Sequence, residues 1–369
     1  MNRVNAIVMP GPGEPLDLQT FTMPDLEMNS ALLRVELSEV CGTDVHLQAG
    51  RLEGVPYPII PGHVSIGYIE TIRGKMRDVE GKPLQEGSLV TFLDVHRTCN
   101  NCWYCLVAKA STRCPSRRVY GITYGIEDGL TGGWADYVYL KPNTHCLPFN
   151  SVAAGRRFMR GGCGLPTALH ANQLANIRIG STVLVLGSGP VGIASIVLAK
   201  MSGASQVFCI GGPEGRLSTA QAVGASGVLD IEASSVEARG NWILEKTFGR
   251  GADITIEATG CSEAVVHGMR WTREGGRVVV AGQYTDSGTV EFNPHRDLNQ
   301  KQLEIFGCWG SDFSHFYNAV QMMNDSEVST VWDKIPVKTY PLVRAEDAIR
   351  AVEEGTVSKA LIDPKSSSG

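Results

Sequence analysis

The chain has 369 residues, 43% of them hydrophobic and 19% charged, with a net charge of −5. This is length enough for two domains of ordinary size, and the charge offers no footprint for nucleic acid or an anionic membrane. Apolar runs such as Thr182–Leu186 fall far short of the ~20 residues that cross a bilayer. Met1–Pro10 lacks the basic start, long apolar stretch and small-residue cleavage site of a signal peptide. A cytoplasmic location is therefore expected, and the ten cysteines point to metal or redox use rather than disulfides. Isolated Cys146, Cys209, Cys261 and Cys308 are read as small buried apolar side chains.

Residues 1–95 read as β-rich. Short runs such as Ala31–Leu37 and Ser88–Leu93 are broken by Gly and Pro clusters, which fits a small barrel-like antiparallel domain. Within it lie Cys41-Gly-Thr43-Asp44-Val-His46 and, after a loop carrying Pro56, Pro58 and Pro61, Gly62-His63. Cys41 and His63 pair a soft thiolate with an imidazole, donors that zinc prefers. Thr43 and His46 add a hydroxyl and an imidazole close enough to share a loop and move a proton.

Cys99-Asn-Asn-Cys102-Trp-Tyr-Cys105, followed by Cys114, is a second metal signal. Two-residue gaps let successive sulfurs turn back on one tetrahedral ion, and four thiolates leave no open position, so this site is structural. Farther on, Cys163 stands between Gly162 and Gly164. The flanking glycines would let the backbone turn sharply and present its sulfur as a third ligand.

From Ser181 strands and helices alternate. Thr182–Leu186 reads as a buried strand, then come Gly187-Ser-Gly189-Pro190-Val191-Gly192 and the helical Ile193–Lys200. In that order the glycines form a dinucleotide turn, with the helix N-terminus facing the pyrophosphate. Further strands are predicted at Gln206–Ile210, Asp253–Glu257 and Arg277–Ala281, with helices at 216–223 and 236–247. The pattern is that of a parallel doubly wound sheet. An acid is expected at the end of the second strand to bind the ribose, and here the sequence reads Gly211-Gly-Pro-Glu214-Gly-Arg216. Arg216 could meet a 2′-phosphate, or Glu214 could hold the ribose. The balance leans slightly to NAD over NADP.

Together, Cys41-Gly-Thr-Asp, Gly62-His63, Cys99–Cys114, the Cys163 segment, Gly187–Gly192 and Lys359-Ala-Leu-Ile make the sequence resemble the zinc-dependent medium-chain alcohol dehydrogenases along essentially its whole length. The resemblance implies an α/β architecture: a GroES-like β-rich catalytic domain, residues 1–164 and 310–369, plus a Rossmann domain, residues 165–309. The catalytic zinc ligands would be Cys41, His63 and Cys163. The structural ligands would be Cys99, Cys102, Cys105 and Cys114, in a lobe near 95–118. Thr43 would touch the substrate oxygen, His46 would end the proton relay, and Asp44 would orient the ligand histidine. Lys359 would lie toward the cofactor pyrophosphate. A homo-oligomer, dimer or tetramer, is also implied.

Two positions depart from the family pattern. Val64 stands where Gly-His-Glu is usual, removing a movable negative charge from behind the metal, and the gap before Cys114 is one residue longer than usual. The implied reaction is reversible oxidation of an alcohol with hydride passing to nicotinamide. Asp94 and His96, with Tyr57, Tyr124 and Trp309 as candidate walls, suggest a secondary or polyfunctional alcohol. The alternatives are a zinc-free quinone or enone reductase and a non-catalytic zinc- and dinucleotide-binding protein; the intact ligand and relay residues argue against both.

Overall fold

A computed structural model describes residues 3–366; the two first and three last positions of the expected catalytic domain lie outside the described residues. The chain divides into two compact units. One comprises Met1–Cys163, Asp312–Thr330 and Val337–Gly369, and the other Gly164–Ser311 with Val331–Pro336.

The first unit is organised by the strand Ser30–Val40, eleven residues long and buried along nearly its whole length. It lacks a clean in–out alternation because side chains on both of its faces are covered. Ser65–Arg73 runs antiparallel along one edge. Tyr137–Leu140 and Ala360–Ile362 share the other, also antiparallel. Leu89–Phe92 and Cys146–Pro148 extend the sheet on one side, and Lys338–Tyr340 on the other. Trp134, fully buried, donates its indole N–H to the Glu39 carbonyl at 2.9 Å, as a buried indole requires.

This pairing positions three chain segments around the end of one strand. Ser38 faces Ser65, so His63 arrives beside the Val40–Cys41 exit. Ala360 faces Val40, which brings Lys359 level with Cys41. The helix Val152–Gly161, capped by Ser151 accepting from the Ala154 N–H at 3.1 Å, ends at Gly162 with φ +54. That left-handed conformation suits glycine and turns the chain directly into Cys163.

The second unit, among the described residues, carries a six-stranded parallel sheet. By first residue the strand order is Gly227, Gln206, Thr182, Ala252, Thr272, Glu304. The order reverses beside Thr182–Leu186, the switch point at which such sheets bind ligands. That strand is buried from Val183 to Leu186, as expected of a parallel strand covered on both faces. The doubly wound fold read from the sequence is present. Its two unpredicted strands, Gly227–Asp230 and Glu304–Gly307, are the sheet edges. Both are short, the first half-buried and the second mostly exposed, and neither has the apolar run that marks a central strand. No helix among the described residues is long and apolar enough to cross a membrane.

Candidate metal centre and nucleotide cradle

Cys41 follows the organising strand and caps the short helix Gly42–Gln48. Its Sγ accepts the Thr43 N–H at 3.3 Å, while Asp44 reaches back to accept the Cys41 N–H at 2.9 Å. The sulfur is thus held by the first turn of the helix. One potential ligand atom each from Cys41, His63 and Cys163 lie within 4.8 Å of one another. Cys41 and His63 are buried and Cys163 is half-buried. Residues 22 and 122 positions from Cys41 thus meet at one point.

The electrostatics suit a cation. A hydrogen bond with Cys163 holds the Cys41 thiol well below its ordinary range, against burial and with help from His63. The same bond, with burial, pushes Cys163 up. The pair is therefore polarised, the Cys41 sulfur toward ionisation and the Cys163 sulfur away from it. Burial opposes charge on His63, but the field and hydrogen bond of the Cys41 thiolate outweigh it and raise its pKa to about 10. Burial, with the Cys41 charge adding, pushes Asp44 well up.

The residues fit zinc on two grounds. Two sulfurs and an imidazole are a zinc donor set with one position left open. In addition, His63 Nδ1 and Asp44 Oδ1 are buried without a hydrogen-bond partner among the described residues, and such orphans call for an explanation such as an ion. Asp44 and His63 interact electrostatically, but no hydrogen bond joins them here. Thr43 and His46 are both half-buried and three residues apart on one helix, spacing that places side chains on a common face.

The four clustered cysteines also converge, with Cys99, Cys102, Cys105 and Cys114 sulfurs within 4.8 Å of one another. Cys99 and Cys114 approach to 3.5 Å, and the Cys99 N–H donates to the Cys114 sulfur at 3.2 Å. The Asn101 backbone N–H draws the Cys99 thiol down to about 6, whereas burial pushes Cys105 up to about 11. Four sulfurs gathered in a loop with no helix longer than Trp103–Leu106 suit a metal that fixes the loop.

In the second unit the glycine turn follows Leu186. Gly187 has φ +102, and a Cβ there would fall on the Ala258 carbonyl at 2.6 Å. Gly192 lies against the Gly187 carbonyl and admits no side chain. Gly189 differs: it caps the helix Pro190–Met201, and a Cβ there would meet nothing within 4 Å. The space is what a pyrophosphate would fill at a helix N-terminus, with Pro190 and Val191 opening the first turn. Gly211 abuts Ser188, whose hydroxyl donates to the Gly212 carbonyl and accepts the Gly212 N–H, both at 3.0 Å. The strand Gln206–Gly211 ends without an acid of its own, and the nearby carboxylate is that of Asp230, which pairs with Gly211 and lies 3.6 Å from where a Gly212 Cβ would stand. Glu214 is exposed and Arg216 half-buried in the following helix, Glu214–Ala222.

Three sequence expectations need correction. Lys359 does not extend toward a pyrophosphate: its ammonium is buried in an ion pair with Glu39, the side chains being 1% and 0% exposed. A buried, paired lysine has no free charge to offer a ligand. His96 is not an available pocket group, because its ring nitrogens meet the Tyr124 hydroxyl and, at 2.9 Å, the Pro142 carbonyl. Cys261 is exposed, with its thiol donating to Glu263 at 3.0 Å, whereas Cys146, Cys209 and Cys308 are buried as expected. Pattern reading missed Glu39, which looks like one more polar residue on a strand of alternating character.

Soft donors for a Lewis-acidic metal in one unit and a phosphate cradle in the other are the equipment of a dehydrogenase. The comparisons agree. A family model described as the alcohol dehydrogenase GroES-like domain matches residues 27–151, and one described as zinc-binding dehydrogenase matches 190–325. The sequence is 30% identical to 5-exo-hydroxycamphor dehydrogenase of Pseudomonas putida, over 94% of this chain and 95% of that protein. An alcohol dehydrogenase structure from Thermotoga maritima superposes with a TM-score of 0.91 at 32% identity, covering 99% of this chain and 100% of that one. A zinc-binding dehydrogenase structure from Sinorhizobium meliloti 1021, bound to NADP, gives a TM-score of 0.85 at 25% identity, covering 99% and 100%. The chain belongs to the zinc-binding medium-chain alcohol dehydrogenases and is an oxidoreductase.

Proposed function

We propose that the protein is an NAD(P)-dependent zinc alcohol dehydrogenase acting on a small secondary or polyfunctional alcohol. The observation that carries this reading is the convergence of Cys41, His63 and Cys163 within 4.8 Å. Zinc held there would make a docked hydroxyl more acidic, and the nicotinamide ring would take the hydride. Thr43 Oγ1 would hold the substrate hydroxyl and pass its proton toward the His46 imidazole and solvent. Asp44, anchored on the Cys41 N–H, fixes the start of the helix that carries both relay residues.

A second zinc on Cys99, Cys102, Cys105 and Cys114 would hold the lobe. Glu214 would take the ribose hydroxyls of NAD. The missing acid at Gly211 leaves little to repel a 2′-phosphate, so the preference over NADP is small. The expected assembly is a dimer or tetramer, which a sedimentation mass would measure.

The deciding experiment combines metal analysis with one substitution. Two zinc ions per chain are expected, and Cys163→Ala should hold one, bind cofactor nearly as before and lose turnover on an alcohol panel. Unimpaired turnover by Cys163→Ala would remove the metal from the reaction.

A further inference from the structure

One buried charged group near the donor cluster has no part in the reaction described above. Glu39 is 1% exposed and 320 residues from its ion-pair partner Lys359, itself 2% exposed. Its Oε2 accepts the Cys163 N–H at 2.6 Å, and its Oε1 accepts the Cys163 thiol at 3.5 Å. Lys359 also reaches the Gly161 carbonyl at 3.5 Å; its charge favours ionisation of both Cys41 and Cys163, and the Glu39 charge opposes it at Cys163. A Cβ on Gly162 would collide with both members of the pair, so glycine is what lets them pack behind the third donor.

A buried ion pair is weak evidence for stability, since two apolar residues of similar volume often serve as well. Here it sits against one donor sulfur and acts electrostatically on another. Lys359 alone would place a positive charge beside a site that must hold a dication, and Glu39 cancels it. Glu39 is also the backbone partner of Val64: the Glu39 N–H donates to the Val64 carbonyl at 2.9 Å. Val64 is the buried position that lacks the family's usual acid.

We propose that Glu39 is the positioning carboxylate of the metal centre, holding Cys163 in place and neutralising Lys359 so that zinc is retained. The inference rests on the zinc reading of Cys41, His63 and Cys163. Groups that orient metal ligands from behind commonly contribute 10–100-fold to metal affinity.

The test is zinc release from the full-length, zinc-loaded protein into excess EDTA, followed with a zinc-sensitive dye. In parallel, the cobalt-substituted protein is examined for its thiolate-to-metal absorption. Glu39→Gln keeps the shape and the Cys163 acceptor but leaves Lys359 uncancelled, so release should quicken by ~10-fold or more and the cobalt band should shift. Adding Val64→Glu to Glu39→Gln restores a carboxylate on the neighbouring strand, and should return release toward the wild-type rate. Glu39→Gln with Lys359→Met removes both charges and should also behave like wild type.

Should Glu39→Gln alone not fold, Lys359→Met is compared with the double substitution, and the single variant should release zinc more slowly. Wild-type release in Glu39→Gln, no recovery with Val64→Glu, or equal release in Glu39→Gln and the charge-free double variant would each overturn the proposal. Failure of the underlying zinc reading is separately visible: wild-type protein and Cys163→Ala would then bind the same amount of zinc.

Discussion

Two glycines of the same turn should respond oppositely to one added methyl group. At Gly189 a Cβ meets nothing within 4 Å and φ is −74, so alanine fits the protein. Alanine is a poorer helix cap than glycine by up to ~1 kcal/mol, but it also restricts the unfolded chain by about 0.4–1 kcal/mol. Stability should therefore barely change. The methyl group would fill the space assigned to the pyrophosphate. Losing one hydrogen bond to a charged phosphate costs about 1.5–3 kcal/mol, roughly a 10- to 100-fold weaker Kd. At Gly192 the methyl group falls on the Gly187 carbonyl, and helix and strand must separate. Overpacking of this kind costs about 1–3 kcal/mol, or roughly 3–10 °C in Tm for a domain of this size. Calorimetric titration with reduced cofactor and thermal melts of both variants make the comparison. A Gly189→Ala protein that melts normally and binds cofactor as tightly as wild type would show that no phosphate lies in that space.

The other expectations concern the lobe, the relay and cofactor choice. Cys114→Ser should remove one zinc and expose 99–114 to limited proteolysis, while the strand Ser30–Val40 and its neighbours stay folded; an unchanged zinc count would exclude a four-thiolate site. Burial, with Arg51 adding, lowers the His46 pKa below its ordinary 6.5, so at neutral pH the ring is uncharged and able to accept a proton. Protonation would close the relay, so the acid limb of alcohol oxidation should fall below that value. His46→Ala should lose this limb with a drop in kcat of about tenfold, milder than removal of a direct acid–base group, and a superimposable pH–rate profile would take His46 out of the relay. Arg216→Ala should raise KM for NADP by about tenfold, the worth of one charge-assisted contact, and leave KM for NAD nearly unchanged. Equal effects on both cofactors would mean that Arg216 does not face the 2′ position.

The parts of the fold readable in the sequence are those governed by local pattern. Thr182–Leu186 is buried along nearly its whole length, so its apolar run is unbroken, and of the glycines after it Gly187 is required by its own backbone angle and Gly192 by the Gly187 carbonyl five residues back. The edge strand Gly227–Asp230 is half-buried throughout and Glu304–Gly307 is mostly exposed, and without a buried face neither carries the pattern that would reveal it. The same contrast holds at the metal centre. Cys41, Thr43, Asp44 and His46 lie on one short helix, and their spacing alone groups them. That Cys163 joins them depends on the turn at Gly162 and on strand register, which spacing does not encode; there the resemblance to a family supplied the expectation.

Lys359 shows why a residue can be placed correctly along the chain and still be assigned the wrong partner. Its position before Ala360-Leu-Ile marks it as a basic group near the active region. What it pairs with is decided by the antiparallel register of Ala360 on Val40, which sets it beside Glu39, and by Gly162, whose missing side chain leaves room for the pair. Once buried, its ammonium needs a counter-charge at hydrogen-bond distance, because an unpaired buried charge is costly to keep. Glu39 meets that need and at the same time accepts the Cys163 N–H. A lysine available to a phosphate would have to be exposed, and this one is 2% exposed. Burial therefore reassigns it from the nucleotide to the thiols, and with it the charge balance on which zinc retention depends.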